Sequence, residues 1–354
     1  MRIGLIGAGR IGAFHAATLA AHPDVDQLLV ADADPERAAR VAAEHGGRAV
    51  PVAALLPAGA PAGSSAGCLD AVVIAAATAA HADLVGRAVR AGVPAFCEKP
   101  VAVDLPATLT AVAAAEEAGA VVQVGFQRRF DAEYVAARES VRRGLLGTLH
   151  TVRTVTSDVE PPPPGYVPLS GGLFRDCLVH DFDAVRWVTG QEVAEVYAAG
   201  ANTGADFFRA AGDADTGAVL LTLADGVLVT ATAARYHAAG YDVRMELAGS
   251  ARQLAVGLGP RAPLERAGAE TASGAGPAPW TGFLDRFAAA YRAELEVFLR
   301  VARGEAANPC PPREALGALL VAEACELSRR ERRPVSVAEV GAGATAPVPG
   351  GVGV

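Results

Sequence analysis

The chain has 354 residues, of which 51% are hydrophobic and 20% charged, and it carries a formal net charge of −8. That length implies two domains, and the composition excludes global disorder. The acidic balance, with arginines scattered among acids, excludes a nucleic-acid groove, and no apolar run reaches the ~18 residues of a membrane span.

The first third alternates strand and helix signals. "RIGLIGA" reads as a buried strand and Arg10 to Ala21 as a helix. "QLLVADA" is a second strand, Pro35 to His45 a helix, and Val50 to Val52 a short third strand. Pro57 to Cys68 is a loop rich in Gly, Pro and Ser. There follow the strand "LDAVVIAAAT", the helix "HADLVGRAVRAG", the strand "PAFCEKP", a helix over Leu105 to Ala118 and the strand "AVVQVGF". Short apolar strands separated by helices predict a doubly wound, Rossmann-type parallel sheet of α/β class over residues 1–125.

Beyond Phe126 the rhythm changes. A helix around Asp131 to Arg143 precedes "LHTVRTVT", the Pro-rich "EPPPPGYVP" and the helical segment "RDCLVHDFDAVRW". Four strand-like runs come next without intervening helices: "EVAEVYAAG", "GAVLLTLA", "GVLVTATAARY" and "YDVRMELAG". Asp225-Gly226 between two of them signals a hairpin. These runs predict an α+β domain over residues 126–340 with a large, mostly antiparallel open sheet. Gly257 to Pro279 is a polar loop, two helices follow, and residues 341–354 form a low-complexity, disordered tail. The five cysteines are odd in number and form no C-x-x-C pair, so neither a zinc site nor a disulfide framework is expected. The opening residues enter a strand without the regions of a signal peptide, so a cytoplasmic chain is expected.

The first chemical signal is "GAGRIG", residues 7–12. Gly7, Gly9 and Gly12 have G-x-G-x-x-G spacing, with Arg10 and Ile11 between, after a strand and opening a helix. Gly7 permits the tight turn, Gly9 lets a pyrophosphate approach the backbone, and Gly12 allows close helix–strand packing. The phosphates then meet the free N–H groups and positive dipole end of the helix. Asp32, at the end of the second strand and 20 positions beyond Gly12, suits the ribose hydroxyls and repels a 2′-phosphate, favouring NAD over NADP. Arg37 and Arg40 in the next helix leave room for some NADP binding.

Two further stretches carry candidate chemistry. "FCEKPVA" ends a strand at Glu98, Lys99 and Pro100, where open α/β sheets bind ligands. Lys99 can donate to a substrate oxygen on a turn that Pro100 fixes, cis or trans; a solvated Glu-Lys pair is the alternative. In "RDCLVHDFDAVRW", read as a helix, Asp176, His180 and Asp183 fall on one face. The residues alone leave open a solvated stripe, a divalent metal site or an acid/base site.

"GLIGAGRIGAFHA", "VADADPERA", "FCEKPVA", "VQVGFQRRFD" and "RDCLVHDFD", in that order, resemble the Gfo/Idh/MocA oxidoreductases, and within them the inositol 2-dehydrogenases. The likeness runs to about residue 330, and the combination of E-K-P with D-x-x-x-H is its most specific part. The resemblance implies an NAD-dependent dehydrogenase oxidising a ring hydroxyl of a cyclic polyol, myo-inositol foremost, with Lys99, Asp176 and His180 as the catalytic set and no metal. His180 is the implied general base, Lys99 binds the reacting oxygen, and Asp176 orients the polyol or the imidazole. The resemblance places Arg128, Asp183, Tyr236 and Tyr291 in the substrate pocket with the catalytic three. Core packing is the alternative for Tyr291. Thr78 and His81, with Glu98, are assigned to the cofactor side. A homo-oligomer, dimer or tetramer, is also implied. A keto-reductase acting on sugars or aminocyclitols, and a non-catalytic dinucleotide sensor, are the competing functions.

Overall fold

The computed structural model describes residues 1–58, 69–264 and 277–345, which form two compact units. The sequence expectations for residues 59–68, with Cys68 among them, for 265–276 and for 346–354 lie outside the described residues.

The first unit comprises Met1–Asp131 and Phe287–Gly317. Its six strands are β1 (Arg2–Ile6), β2 (Gln27–Ala31), β3 (Arg48–Ala49), β4 (Ala71–Ile74), β5 (Ala95–Glu98) and β6 (Val122–Gly125), all parallel, in the order β3-β2-β1-β4-β5-β6. Strands buried on both faces have no polar alternation, so they read as unbroken apolar runs. Helices α1 (Arg10–Ala20), α2 (Pro35–Glu44), α3 (Val52–Leu55), α4 (Thr78–Ala91) and α5 (Leu105–Glu117) connect them. Local chemistry sets their ends. Asp34 accepts from the N–H groups of Glu36 and Arg37 at the start of α2, Asp104 accepts from Ala107 N–H at the start of α5, and Gly92 closes α4 in the left-handed conformation. The strand expected at Val50 to Val52 lies two residues earlier. Pro51 lacks the N–H that a strand needs and begins the single turn of α3 instead.

The expected domain limits also shift. The single helix read from Phe283 is broken at Phe287, and its longer part, Ala288–Ala302, packs on the first sheet. Leu295, Phe298 and Leu299 share one core with Ile3, Leu5, Val30, Val73 and Phe96. An apolar stripe at helical spacing says that a face is buried, but not which sheet it covers.

The second unit comprises Ala132–Arg286 and Ala318–Val354. It contains α6 (Ala132–Arg142), the single turn α7 (Val167–Ser170), α8 (Val179–Thr189) and a seven-stranded sheet. The strands are β7 (Leu149–Ser157), β8 (Val193–Ala201), β9 (Thr216–Leu223), β10 (Leu228–Ala234), β11 (Asp242–Gly249), β12 (Gln253–Val256) and β13 (Val335–Ser336). Their order is β12-β11-β7-β10-β9-β8-β13, with β7 and β10 parallel and every other pair antiparallel. The Asp225-Gly226 turn closes the β9–β10 hairpin, with Gly226 at φ 88° and Val227 N–H donating to Asp225 Oδ1 at 3.1 Å. Alternation buries Val219, Leu221, Val229 and Ala231 and leaves Tyr197, Leu220 and Leu228 exposed on the opposite face. The short edge strands β12 and β13 carry too few residues for a period to be read from sequence. The helix Val337–Thr345 takes up the first five residues of the expected disordered tail.

Among the described residues no helix is long and apolar enough to cross a membrane. Among the described residues Cys97, Cys177, Cys310 and Cys325 are buried and none is in a disulfide.

Candidate active site

The expected site residues fall into two groups, one in each unit. In the first, the glycine turn joins β1 to α1. A Cβ on Gly7, at φ 103°, would lie 2.3 Å from the Ala75 carbonyl oxygen, and one on Gly12 would lie 1.9 Å from Gly7 O. Neither clash can be relieved, because both partners are backbone. At Gly9 a Cβ would meet nothing within 4 Å. The chain is therefore closed behind the turn and open in front of it, where a phosphate would approach. No side chain caps α1, so its first N–H groups face the same opening. Arg10 is exposed and Ile11 half-buried at this helix start.

A cavity of about 450 Å³ opens beside the turn, lined by Gly7, Gly9, Asp32, Arg37, Ala77 and Leu84 among others. Its size suits part of a dinucleotide. Asp32 Oδ2 accepts from Ala8 N–H at 2.6 Å and Oδ1 from Asp34 N–H at 2.8 Å, which fixes the carboxylate at the end of β2. Arg37 Nη1 donates to the same Oδ1 at 3.3 Å. The open glycine cradle, the helix start that no side chain caps and a fixed carboxylate on one cavity fit a dinucleotide.

The end of β5 is braced from two sides. Glu98 Oε1 lies 2.7 Å from His15 Nε2, and both side chains are buried. The His15 ring is edge-on to Phe96 and Tyr291, with centroids 5.6 Å and 6.0 Å away. The next peptide, Lys99-Pro100, is cis, one of the two geometries expected. His81 Nδ1 lies 2.7 Å from Pro100 O and Nε2 3.0 Å from Ala76 O, so the ring ties the lysine turn to the start of α4, where Thr78 is half-buried. Lys99 is half-buried beside this brace. Tyr291 packs edge-on to Phe14 at 5.8 Å, and its ring is part of the interior. Arg128 is only 2% exposed on the 3₁₀ turn Gln127–Phe130, its guanidinium 5.9 Å from the Phe287 ring centroid.

In the second unit, the D-x-x-x-H segment begins as a π-helix, Phe174–Leu178, and continues as α8. The wider turn changes the phase that a uniform α-helix would give, and such turns recur at functional sites. The polar face is graded in depth. Asp176 and His180 are half-buried, whereas Asp183 is fully buried. Asp181 is also fully buried and accepts from Thr156 Oγ1 at 2.7 Å.

Asp176 is held by two residues that did not stand out in the sequence. Arg235, at the end of β10, donates through Nη2 to Asp176 Oδ2 at 2.8 Å and through Nη1 to Asp158 Oδ2 at 3.0 Å. Burial works against this guanidinium, but Cys177, Asp176 and Asp158 outweigh it and hold its pKa above the ordinary arginine value. On the other oxygen, Oδ1, Asp176 accepts from the Tyr166 hydroxyl at 3.1 Å. Burial and the Asp176 charge push the Tyr166 phenol up, so it stays a donor. Tyr236 uses its phenolic oxygen elsewhere, accepting from Ala205 N–H at 3.0 Å over Gly204, where a Cβ would lie 2.3 Å from its ring. A signal for Arg235 exists in the sequence: it continues the buried phase of Val229, Ala231 and Ala233.

Residues 1–126 match the family model for the oxidoreductase family with an NAD-binding Rossmann fold, and residues 134–255 match the GFO/IDH/MocA C-terminal domain. A myo-inositol dehydrogenase of Streptomyces leeuwenhoekii is 39% identical over 93% of this chain and 97% of its own. The crystal structure of a myo-inositol dehydrogenase from Corynebacterium glutamicum is 35% identical, with a TM-score of 0.84 over 95% of this chain and 98% of that one. A scyllo-inositol dehydrogenase from Lactobacillus casei, solved with NAD(H) and scyllo-inositol bound, is 26% identical, with a TM-score of 0.83 over 96% and 99% of the two chains.

Proposed function

Because the chain belongs to the GFO/IDH/MocA oxidoreductase family, we propose that it is an NAD-dependent dehydrogenase of a cyclic polyol, oxidising myo-inositol at C2 to scyllo-inosose. NAD, when bound, supplies the acceptor for the hydride that leaves the carbinol carbon. His180 takes the hydroxyl proton, and Lys99 holds the same oxygen and stabilises its developing charge. Asp176 orients the polyol as a fixed anionic acceptor.

The observation that carries this reading is the setting of Asp176. A half-buried carboxylate, with one oxygen on a buried guanidinium and the other on a phenol, cannot rotate freely. It sits four residues before His180 on the same segment. Such preorganisation suits recognition of a hydroxyl donor. The carboxylate of Asp32 supports NAD over NADP. The exposed Tyr197, Leu220 and Leu228 support a homo-oligomer, dimer or tetramer, joined through the open sheet face.

The test is NADH formation by the purified chain across myo-inositol, scyllo-inositol, D-chiro-inositol, glucose, xylose and galactose. Turnover confined to the inositols is the expected result. Silence across the panel with NADH still bound replaces this function by a keto-reductase or a dinucleotide sensor. Lys99→Ala is expected to abolish turnover and leave NAD affinity nearly intact; loss of both refutes the division of roles.

A further inference from the structure

The two donors that hold Asp176 differ in kind. Arg235 has 4% of its side chain exposed, and its two terminal nitrogens are divided between Asp158 and Asp176, so it is fixed inside the protein. Tyr166 is 44% exposed as a residue, and its hydroxyl donates its proton to Asp176 Oδ1. A hydroxyl that donates keeps its oxygen lone pairs as acceptors, and donation into an anion makes them better acceptors. Tyr166 thus presents beside Asp176 a neutral, oriented acceptor one hydrogen bond away from a charged one.

We propose that Tyr166 is a specificity-determining residue, whose phenolic oxygen accepts a hydrogen bond from the ring hydroxyl next to the one that is oxidised. This rests on the polyol-dehydrogenase reading of the same site. A polyol ring carries hydroxyls on adjacent carbons, and an acceptor pair linked by one hydrogen bond matches two such neighbours. A ring lacking one of those two hydroxyls satisfies only one of the pair and leaves the other unpaired. A site built to bind a hydroxyl discriminates in this way against an analogue that lacks it. The charge stays on Asp176 throughout, because Arg235 fixes it there and the phenol keeps its proton.

The test compares myo-inositol with deoxy-inositols lacking the hydroxyl on C1 or C3, using the full-length wild type, Tyr166→Phe and Asp176→Asn. The wild type is expected to prefer myo-inositol over one of the deoxy analogues by about 3- to 10-fold in kcat/KM, the worth of one neutral hydrogen bond. Tyr166→Phe is expected to lose that preference, mostly through KM, while far-UV circular dichroism and NADH affinity stay as in the wild type. A general loss of packing would lower both substrates alike and leave the ratio unchanged. A Tyr166→Phe enzyme as discriminating as the wild type overturns the role of Tyr166. If Asp176→Asn is then inactive, the polyol site stands without it. An Asp176→Asn enzyme with wild-type turnover removes the site reading itself, and the inference with it. A wild type that oxidises none of these inositols does the same.

Discussion

Replacing Asp32 with Asn removes one negative charge from the rim of the nucleotide cavity and keeps the shape of the side chain. A 2′-phosphate placed about 4 Å from that carboxylate would be repelled by about 4 kcal/mol per unit charge at an effective dielectric of 20. Arg37, 3.3 Å from Asp32 Oδ1, opposes that repulsion. Taking half leaves about 2 kcal/mol, or about 30-fold in affinity. The substitution also releases Arg37 from its charged partner, which adds in the same direction. It has a cost: an amide has one acceptor oxygen, while Ala8 N–H and Asp34 N–H use both oxygens of the carboxylate. NADH binding is therefore expected to weaken as NADPH binding strengthens. Fluorescence titration of both cofactors reads this without any substrate. The expected ratio of NADPH to NADH affinity rises about 30-fold in D32N and falls back in D32N/R37A. A ratio within about 3-fold of the wild type in D32N would refute the charge argument, because the electrostatic term alone exceeds that.

Gly12→Ala would force a Cβ to 1.9 Å from the Gly7 carbonyl oxygen, so NADH binding is expected to be lost, and an alanine variant that binds NADH normally would show that the turn is not the cradle. His15→Leu removes the donor to the buried Glu98; destabilisation of about 1–3 kcal/mol in urea unfolding is expected, and a neutral result would mean that water replaces the imidazole. The Arg261 guanidinium, donating to both oxygens, holds the Asp285 carboxyl below the usual range, with burial opposing and Thr281 assisting. A depressed folded value means stabilisation that is present above the unfolded pKa of about 3.9 and lost as pH falls through the folded one. Wild type and Asp285→Asn are therefore expected to differ by less than about 1 kcal/mol at pH 7 and to converge in acid. A gap that persists at the lowest pH at which the fold survives would assign the effect to packing. Leu220→Asp, on the exposed sheet face, is expected to lower the mass seen by light scattering, whereas an unchanged oligomer places the interface elsewhere.

The parallel sheet was legible because its strands are short, apolar and punctuated by capped helices, and the glycine turn because each glycine answers a separate steric demand. Asp32 and the Lys99 turn could be located from their place at strand ends. The hold on Asp176 was less visible. Tyr166, Asp158 and Arg235 are far from it in sequence, and only the phase of β10 marks Arg235 as buried. The π-turn at Phe174–Leu178 has no periodic signature in five residues, so a uniform helix was read through it. His15 was readable as buried by its helical phase with Gly12, Ala16 and Leu19, but nothing local assigns Glu98 as its partner.

The return of the Ala288–Ala302 helix to the first sheet has a consequence for how the chain is made. Synthesis proceeds from the amino end, so β1 to β6 leave the ribosome long before Leu295, Phe298 and Leu299 exist to cover them. At translation rates of about 5–20 residues per second, the interval lasts on the order of ten seconds. During it the nascent nucleotide-binding sheet carries an uncovered apolar flank, a surface on which chaperones act and from which aggregation starts. The same order of events means that a message cut short before residue 287 yields a glycine turn with no finished core beneath it.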